Sequence, residues 1–245
     1  MATINSMMSS GMFGSSNSSS IFGGSGSFNF SDYASIKNGS YGKLMKAYYK
    51  NEGSDSSSKV DRNDKKAVND LVKSLNRTSD TAGSLSKSIS ALNKDSLYEK
   101  KDITKKDENG KKTTENDYDW DAISKSVKSY VDSYNDTMDD AAESSNTSVL
   151  RNAAWMTKIT KKNESALAKV GISVGSDNKL KVDEDKLKTA DINDIKNVFG
   201  GNNSYGAQMN YKAQQIGNAA NSAANTYTGS GTYSRMIQST WGTSI

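Results

Sequence analysis

Two stretches of this chain place an apolar or small side chain at steps of three and four residues, and that spacing fixes most of what the chain can become. In the first, Val68, Leu71, Leu75, Thr78, Ala82, Leu85, Ile89 and Leu92 follow one another without a break. In the second, Trp120, Ile123, Val127, Tyr130, Tyr134, Thr137 and Ala141 repeat the pattern, with Asp119 in the position of an N-cap. Such spacing draws one stripe along a helix and does not suit a strand. A two-in-seven stripe is narrower than the apolar face of a helix in a globular core, so each helix needs a long partner nearly parallel to its axis. The connector between Leu92 and Trp120 can double back, so the simplest packing is an antiparallel pair, completed by helices from the second half. The predicted fold is mainly α: an antiparallel helical bundle or coiled-coil trunk with one or two small β-hairpins. The stripes read as bundle core, in preference to a cofactor or lipid site.

Proline is absent from the 245 residues, where ordinary usage of about 5% would give roughly a dozen. Long helices can therefore run uninterrupted. Cysteine and histidine are absent as well. The fold uses no disulfide, and the commonest ligands of zinc, haem and iron–sulfur clusters are missing, so no metal and no cofactor is expected. The general base most used near neutral pH is missing too, which sets enzyme readings far behind. The net charge of +4 is small, and the lysines alternate with acids, so nucleic-acid binding is not indicated. No apolar run approaches the ~18 residues of a membrane span.

Along the chain, residues 1–31 carry no charged side chain and are mostly Ser, Gly and Asn, with Met12, Phe13, Phe22 and Phe30 among them. They read as a disordered, export-signal-like segment, without the basic start and continuous apolar core of a secretory signal peptide. Residues 32–58 read as a short helix and linker. The helix would be capped by Ser31 or Asp32, would carry Tyr33, Ile36, Tyr41, Leu44, Met45 and Tyr48, and would be interrupted at Gly39 and Gly42. The trunk spans 59–228, its first long helix starting at Asp61 or Asn63. Hairpins are expected near 97–118 and 171–183. In the first, Asn109-Gly110 signals a two-residue turn that sets Glu108 opposite Lys111 and Asp107 opposite Lys112. In the second, Ile172 and Val174 alternate with Leu180 and Val182 across a turn at 175–179. Between the two, one helix from Thr147 or Ser148 should bury Leu150, Ala154, Thr157, Ile159, Ala166, Leu167 and Val170 and stop at Gly171. Asp183 and Asp191 would cap two short helices. The last long helix, 204–227, carries Tyr205, Met209, Lys212, Ile216, Ala219, Ala223 and Thr226 at heptad-like steps, and 229–245 is left as a tail.

One series of segments resembles a known family. It comprises Val131-Asp132-Ser133-Tyr134-Asn135 on a helix, Leu167-Ala168-Lys169-Val170-Gly171-Ile172, Leu180-Lys181-Val182-Asp183-Glu184-Asp185-Lys186-Leu187-Lys188, and Asp194-Ile195-Lys196-Asn197-Val198-Phe199 followed by Gly206. In that order it is similar to the C-terminal region of the flagellar filament-cap protein, hook-associated protein 2. The match covers somewhat under half the chain. The resemblance implies a structural, self-associating protein, exported by the flagellar type III apparatus and located outside the cell. Its partners would be further copies of itself and axial proteins such as flagellin or hook-associated proteins. The chain departs from the family in leaving no room for mid-chain β-rich outer domains, which makes it a shortened paralogue.

Other patterns have plainer accounts. Ser56-Ser57-Ser58-Lys59 and Ser84-Leu85-Ser86-Lys87 have the Ser-x-x-Lys spacing of acylating enzymes, but Leu85 lies in the stripe and chance matches are common in so Ser- and Lys-rich a chain. Asp183, Glu184 and Asp185 lack the alternation and glycine of a calcium loop and read as capping. Lys100, Lys101, Lys105, Lys106, Lys111 and Lys112 gather on the first hairpin and, offset by acids, read as a solvated tip. Tyr33, Tyr41, Leu44 and Tyr48 near the start, joined by the adjacent Tyr49, with Tyr205, Met209, Ile216 and Tyr227 near the end, are the candidate subunit interface. A secreted or cell-surface, adhesin-like helical binding module is the alternative function.

Overall fold

The computed structural model describes residues 40–52, 64–106 and 112–227. In chain order these form α1 (Ser40–Glu52), α2 (Lys65–Leu92), a 3-10 turn (Asp95–Tyr98), β1 (Lys100–Lys106), β2 (Lys112–Tyr118), α3 (Trp120–Glu143), α4 (Thr147–Lys162), α5 (Glu164–Lys169), β3 (Ile172–Val174), β4 (Leu180–Val182), α6 (Glu184–Thr189), α7 (Ile192–Phe199) and α8 (Tyr205–Ala224). The fold is mainly α, with two separate antiparallel two-stranded hairpins. The export-type segment, Tyr33 and Ile36, most of the linker and the C-terminal tail lie outside the described residues.

Side chains start the long helices by satisfying their first N–H groups. Asp119 accepts from Ala122 N, Asn146 from Ser148 N and Val149 N, and Ser204 from Ala207 N. For α2 the cap is Asp64, accepting from Lys66 N and Ala67 N, each at 3.0 Å. That places the start one residue beyond Asn63 and three beyond Asp61, where a single carboxylate reaches two unpaired donors.

The bundle is antiparallel. Arg77, in the first half of α2, bonds Asp140 (2.7 Å) and Glu143 (2.8 Å) at the far end of α3. On its other side α2 runs against α8, where Ser86 donates to Asn210 and Ala82 lies beside Gly217. Contact with α8 is more extensive than contact with α3, the partner suggested by sequence proximity. Small residues at Ala213, Gly217 and Ala220 let the α8 backbone come close. α4 lies antiparallel to α8, and α1 packs on α4 and α3, burying Leu44 completely.

The stripes themselves are interior. Val68, Leu75, Ala82, Leu85, Ile89, Leu92, Ile123, Val127, Tyr130 and Tyr134 are buried, while Leu71 and Trp120 are half-buried. On α3 the stripe is wider than two in seven, because Ser124, Val131 and Met138 are buried beside it. The helix meets α2 on one side and α1, α4 and β4 on the other, so a narrow seam would not suffice. On α8 the buried set is Tyr205, Gly206, Met209, Ala213, Ile216, Ala220 and Ala224. Lys212, expected in that row, is half-buried with its ammonium reaching Asn152 Oδ1 at 3.2 Å; Ala219 and Ala223 sit at the edge, and Ala213 takes the inward place.

Two connections differ from expectation. The helix beginning at Thr147 breaks at Asn163, whose side chain donates to Ile159 O, and resumes as α5. In the first hairpin Lys106 pairs with Lys112. Lys112 therefore does not face Asp107, and the ladder runs one residue out of step with a two-residue Asn109-Gly110 turn. Lys100, Lys101 and Lys112 are exposed, with Lys101 opposite Asp117 and Lys100 over the Tyr118 ring at 5.3 Å.

Candidate functional site

The segments that carry the family resemblance pack into one unit. Gly175 N donates to Lys179 O and Asp183 N to Gly171 O, each at 2.8 Å, so Leu180, opposite Val174, falls in a non-hydrogen-bonded pair. Its N–H and C=O turn away from β3, toward α3. Asn135 meets both: Leu180 N donates to Asn135 Oδ1 (2.9 Å), and Asn135 Nδ2 donates to Leu180 O (3.0 Å). One amide thus acts as an extra strand that fastens the small hairpin to α3. Gly171 sits at φ +74, and a Cβ there would lie 2.6 Å from Asp183 O; at Gly206 it would lie 2.6 Å from Phe199 O. Only glycine permits both approaches.

Above this junction the core holds a tyrosine cluster. The Tyr130 hydroxyl donates to that of Tyr205 (2.6 Å), which also shares a hydrogen bond with Thr160 Oγ1 (3.0 Å). The Tyr130 and Phe199 rings meet edge to face at 5.1 Å. Burial raises the pKa of Tyr130 and Tyr134 well above the ordinary phenol value. It pushes Tyr205 up to about 12, against hydrogen bonds from Thr160 and Tyr130 that lower it. The Tyr134 hydroxyl makes no hydrogen bond of ordinary geometry, although Thr160 lies close enough to lower its pKa. Tyr130 and Tyr205, bonded to each other, and Tyr134 beside them are buried phenols held neutral, and they read as structural groups.

The motifs with catalytic or metal spacing do not assemble. Ser84 Oγ donates to Asp80 O and Ser86 Oγ to Asn210 Oδ1, so neither hydroxyl bonds a lysine. Ser56 and Lys59 lie outside the described residues. Asp183 caps α6 through Lys186 N, and Glu184 pairs with Lys128 at 2.6 Å, which lowers its pKa. Among the described residues no group of three acids could hold a metal ion. The Lys128–Glu184 pair lies in an open groove of about 490 Å³ between α3 and α6, where Asp132 and Asp136 alternate with Lys125 and Lys188. Charges of both signs interleaved in this way favour no ion.

The candidate subunit interface is corrected. Leu44, Met209 and Ile216 are fully buried and Tyr205 nearly so, all inside the core of a single chain. The α8 face bearing Tyr205, Met209 and Ile216 is covered by α2 and α4, and α1 packs its Leu44 face on α4 and α3. Tyr48 and Tyr227 are half-buried, and the Tyr33 and Tyr41 side chains lie outside the described residues. Among the described residues the large apolar side chains that reach solvent are Tyr49 (57% exposed), one of the docking candidates, and Tyr211 (58%), which was missed because it stands off the repeat. Also missed was a cation–aromatic cluster in which Lys158 and Lys212 approach the Trp155 ring at 5.0 and 5.7 Å. Burial, and then Arg151, lowers the pKa of Lys212.

No family model, curated protein or solved structure matches this chain. Among the described residues, no helix is long and apolar enough to cross a membrane.

Proposed function

We propose that this chain is a structural, self-associating protein of the bacterial flagellum, of the filament-cap or hook-associated type, secreted through type III export. It would assemble with further copies of itself and with axial proteins such as flagellin or hook-associated proteins. The observation that carries the reading is the ordered series from Val131 to Gly206, whose members resemble the cap family and here pack against one another as helix, hairpin and helices. The unassembled catalytic and metal motifs are in keeping with a structural role. Self-association would use surface outside the core, such as α1 around the exposed Tyr49.

A surface-located binding module is the second reading, favoured by the first hairpin, whose described strands are almost wholly exposed and pack chiefly on each other. Mass spectrometry of purified filaments and hooks, beside cell-surface and medium fractions, separates the two. Recovery with sheared flagella is expected, and deletion of residues 2–30 should leave the trunk folded while abolishing release. Presence only on the surface of cells lacking flagella would favour the binding module, and a strictly cytosolic monomer would sink both.

A further inference from the structure

A second groove, of about 410 Å³, runs between the C-terminal end of α2 and the first half of α8. That size suits a small ligand. In a chain with 24% charged residues, no charged side chain lines it. Its floor is apolar, formed by Ile89 and Phe199, both almost fully buried. Asn93, Asn210 and Gln214 stand along its sides, and Tyr211, 58% exposed, lies on its rim.

The amides are each held at one end and open at the other. Asn210 Oδ1 accepts from Ser86 Oγ (2.5 Å) and Gln214 Nε2 (3.5 Å), leaving its Nδ2 to donate. Asn93 Oδ1 accepts from Gly201 N (3.3 Å), leaving that Nδ2 as well. Gln214 gives Nε2 to Asn210 and keeps Oε1 as an acceptor. A ligand filling this groove meets neutral amide donors, a neutral amide acceptor and an aromatic platform. Hydroxyl groups, which donate and accept at once, satisfy that set; a phosphate or carboxylate finds no cation in the lining, and a purely apolar ligand leaves the amides unpaired. Lys212 Nζ lies over the Tyr211 ring at 5.5 Å from its centroid, and the flat C–H face of a pyranose ring can rest on the part of the ring that stays exposed.

We propose that the groove between α2 and α8 binds an uncharged oligosaccharide through Asn93, Asn210 and Gln214, with Tyr211 as the stacking platform. The site is distinct from the first hairpin and independent of any axial role, since it needs neither assembly nor a second copy.

The test titrates the full chain with cellobiose, maltose, lactose and N,N′-diacetylchitobiose, followed by saturation-transfer NMR and by amide shifts. At least one disaccharide should bind with a Kd on the order of 1 mM, shifting residues 93, 210, 211 and 214. Y211A should weaken that binding roughly tenfold, Q214A should weaken it too, and Y211F should retain it. Because both side chains are largely outside the core, unchanged melting temperatures are expected and will show that the variants fold. No saturable binding by any of these sugars overturns the proposal, as does binding that both Y211A and Q214A leave intact. So does binding of sialyllactose without binding of its neutral parent lactose, which would make the ligand an anion.

Discussion

Replacing Asn135 with alanine removes one side chain and opens two backbone groups. In the folded chain its amide accepts from Leu180 N at 2.9 Å and donates to Leu180 O at 3.0 Å, both partly buried. A neutral hydrogen bond contributes about 1 kcal/mol net, so the pair contributes about 2 kcal/mol. Alanine returns about 0.5 kcal/mol through its better helix propensity in α3, for a net loss of about 1.5 kcal/mol. For a domain of this size that lowers the melting temperature by about 3–6 °C. Urea unfolding followed by circular dichroism gives the energy, and hydrogen exchange at the Leu180 amide locates it: protection should fall there ahead of α2 and α8. Asn193→Ala is the control, since Asn193 is exposed on α7 with no side-chain hydrogen bond, and its effect should stay within about 0.5 kcal/mol. An unchanged melting temperature, with the Leu180 amide still protected, would refute the claim that Asn135 fastens the hairpin.

Two further outcomes follow from the core. Leu85→Asp puts a carboxylate at a position with no exposure, and a loss of at least about 3 kcal/mol is expected, read as lost helicity or a collapsed unfolding midpoint; undiminished stability would remove Leu85 from the seam. In alkali, Tyr130, Tyr134 and Tyr205 have folded pKa values raised above the unfolded value near 10.0. Their contribution is therefore complete below pH 10 and is lost as pH rises, because the unfolded phenols ionise first. Stability should fall steadily above about pH 10, and the last tyrosinate absorbance should appear together with loss of helical signal; full tyrosine ionisation in a chain still folded would contradict the buried cluster.

The elements were legible wherever one side chain's periodicity or capping chemistry sufficed. Asp119, Asp183 and Asp191 announced helix starts, and Ile172, Val174, Leu180 and Val182 a hairpin, because each signal is local. What escaped was decided by neighbours far along the chain. The preference of α2 for α8 depends on Ala213 and Gly217 meeting Ala82, and sequence distance made α3 the more obvious partner. The interface candidates that proved to be buried were misplaced for the same reason. Tyr205, Met209 and Ile216 look like spare stripe on an isolated helix, but Tyr130, Thr160 and Phe199 close over the first two, and Ile216 is buried on a helix packed against α2 and α4.

The same comparison bears on what the resemblance means. Asn135, Gly171, Phe199 and Gly206, which help carry it, serve a hydrogen-bonded clamp, a positive-φ turn and a close helix crossing. Each is required by the way α3, the second hairpin and α8 fit together, and of the four only Phe199 reaches the groove between α2 and α8, as part of its buried floor. Residues of this kind can remain fixed while the exterior is rebuilt, because their constraints are internal. The exterior is where Tyr49, Tyr211 and the amides around it stand, outside every motif of the series. Under the reading proposed above, such a chain keeps the subunit architecture of an axial protein and presents a surface of its own. Function is therefore to be sought on that surface, with the packed junction fixing where its groups stand.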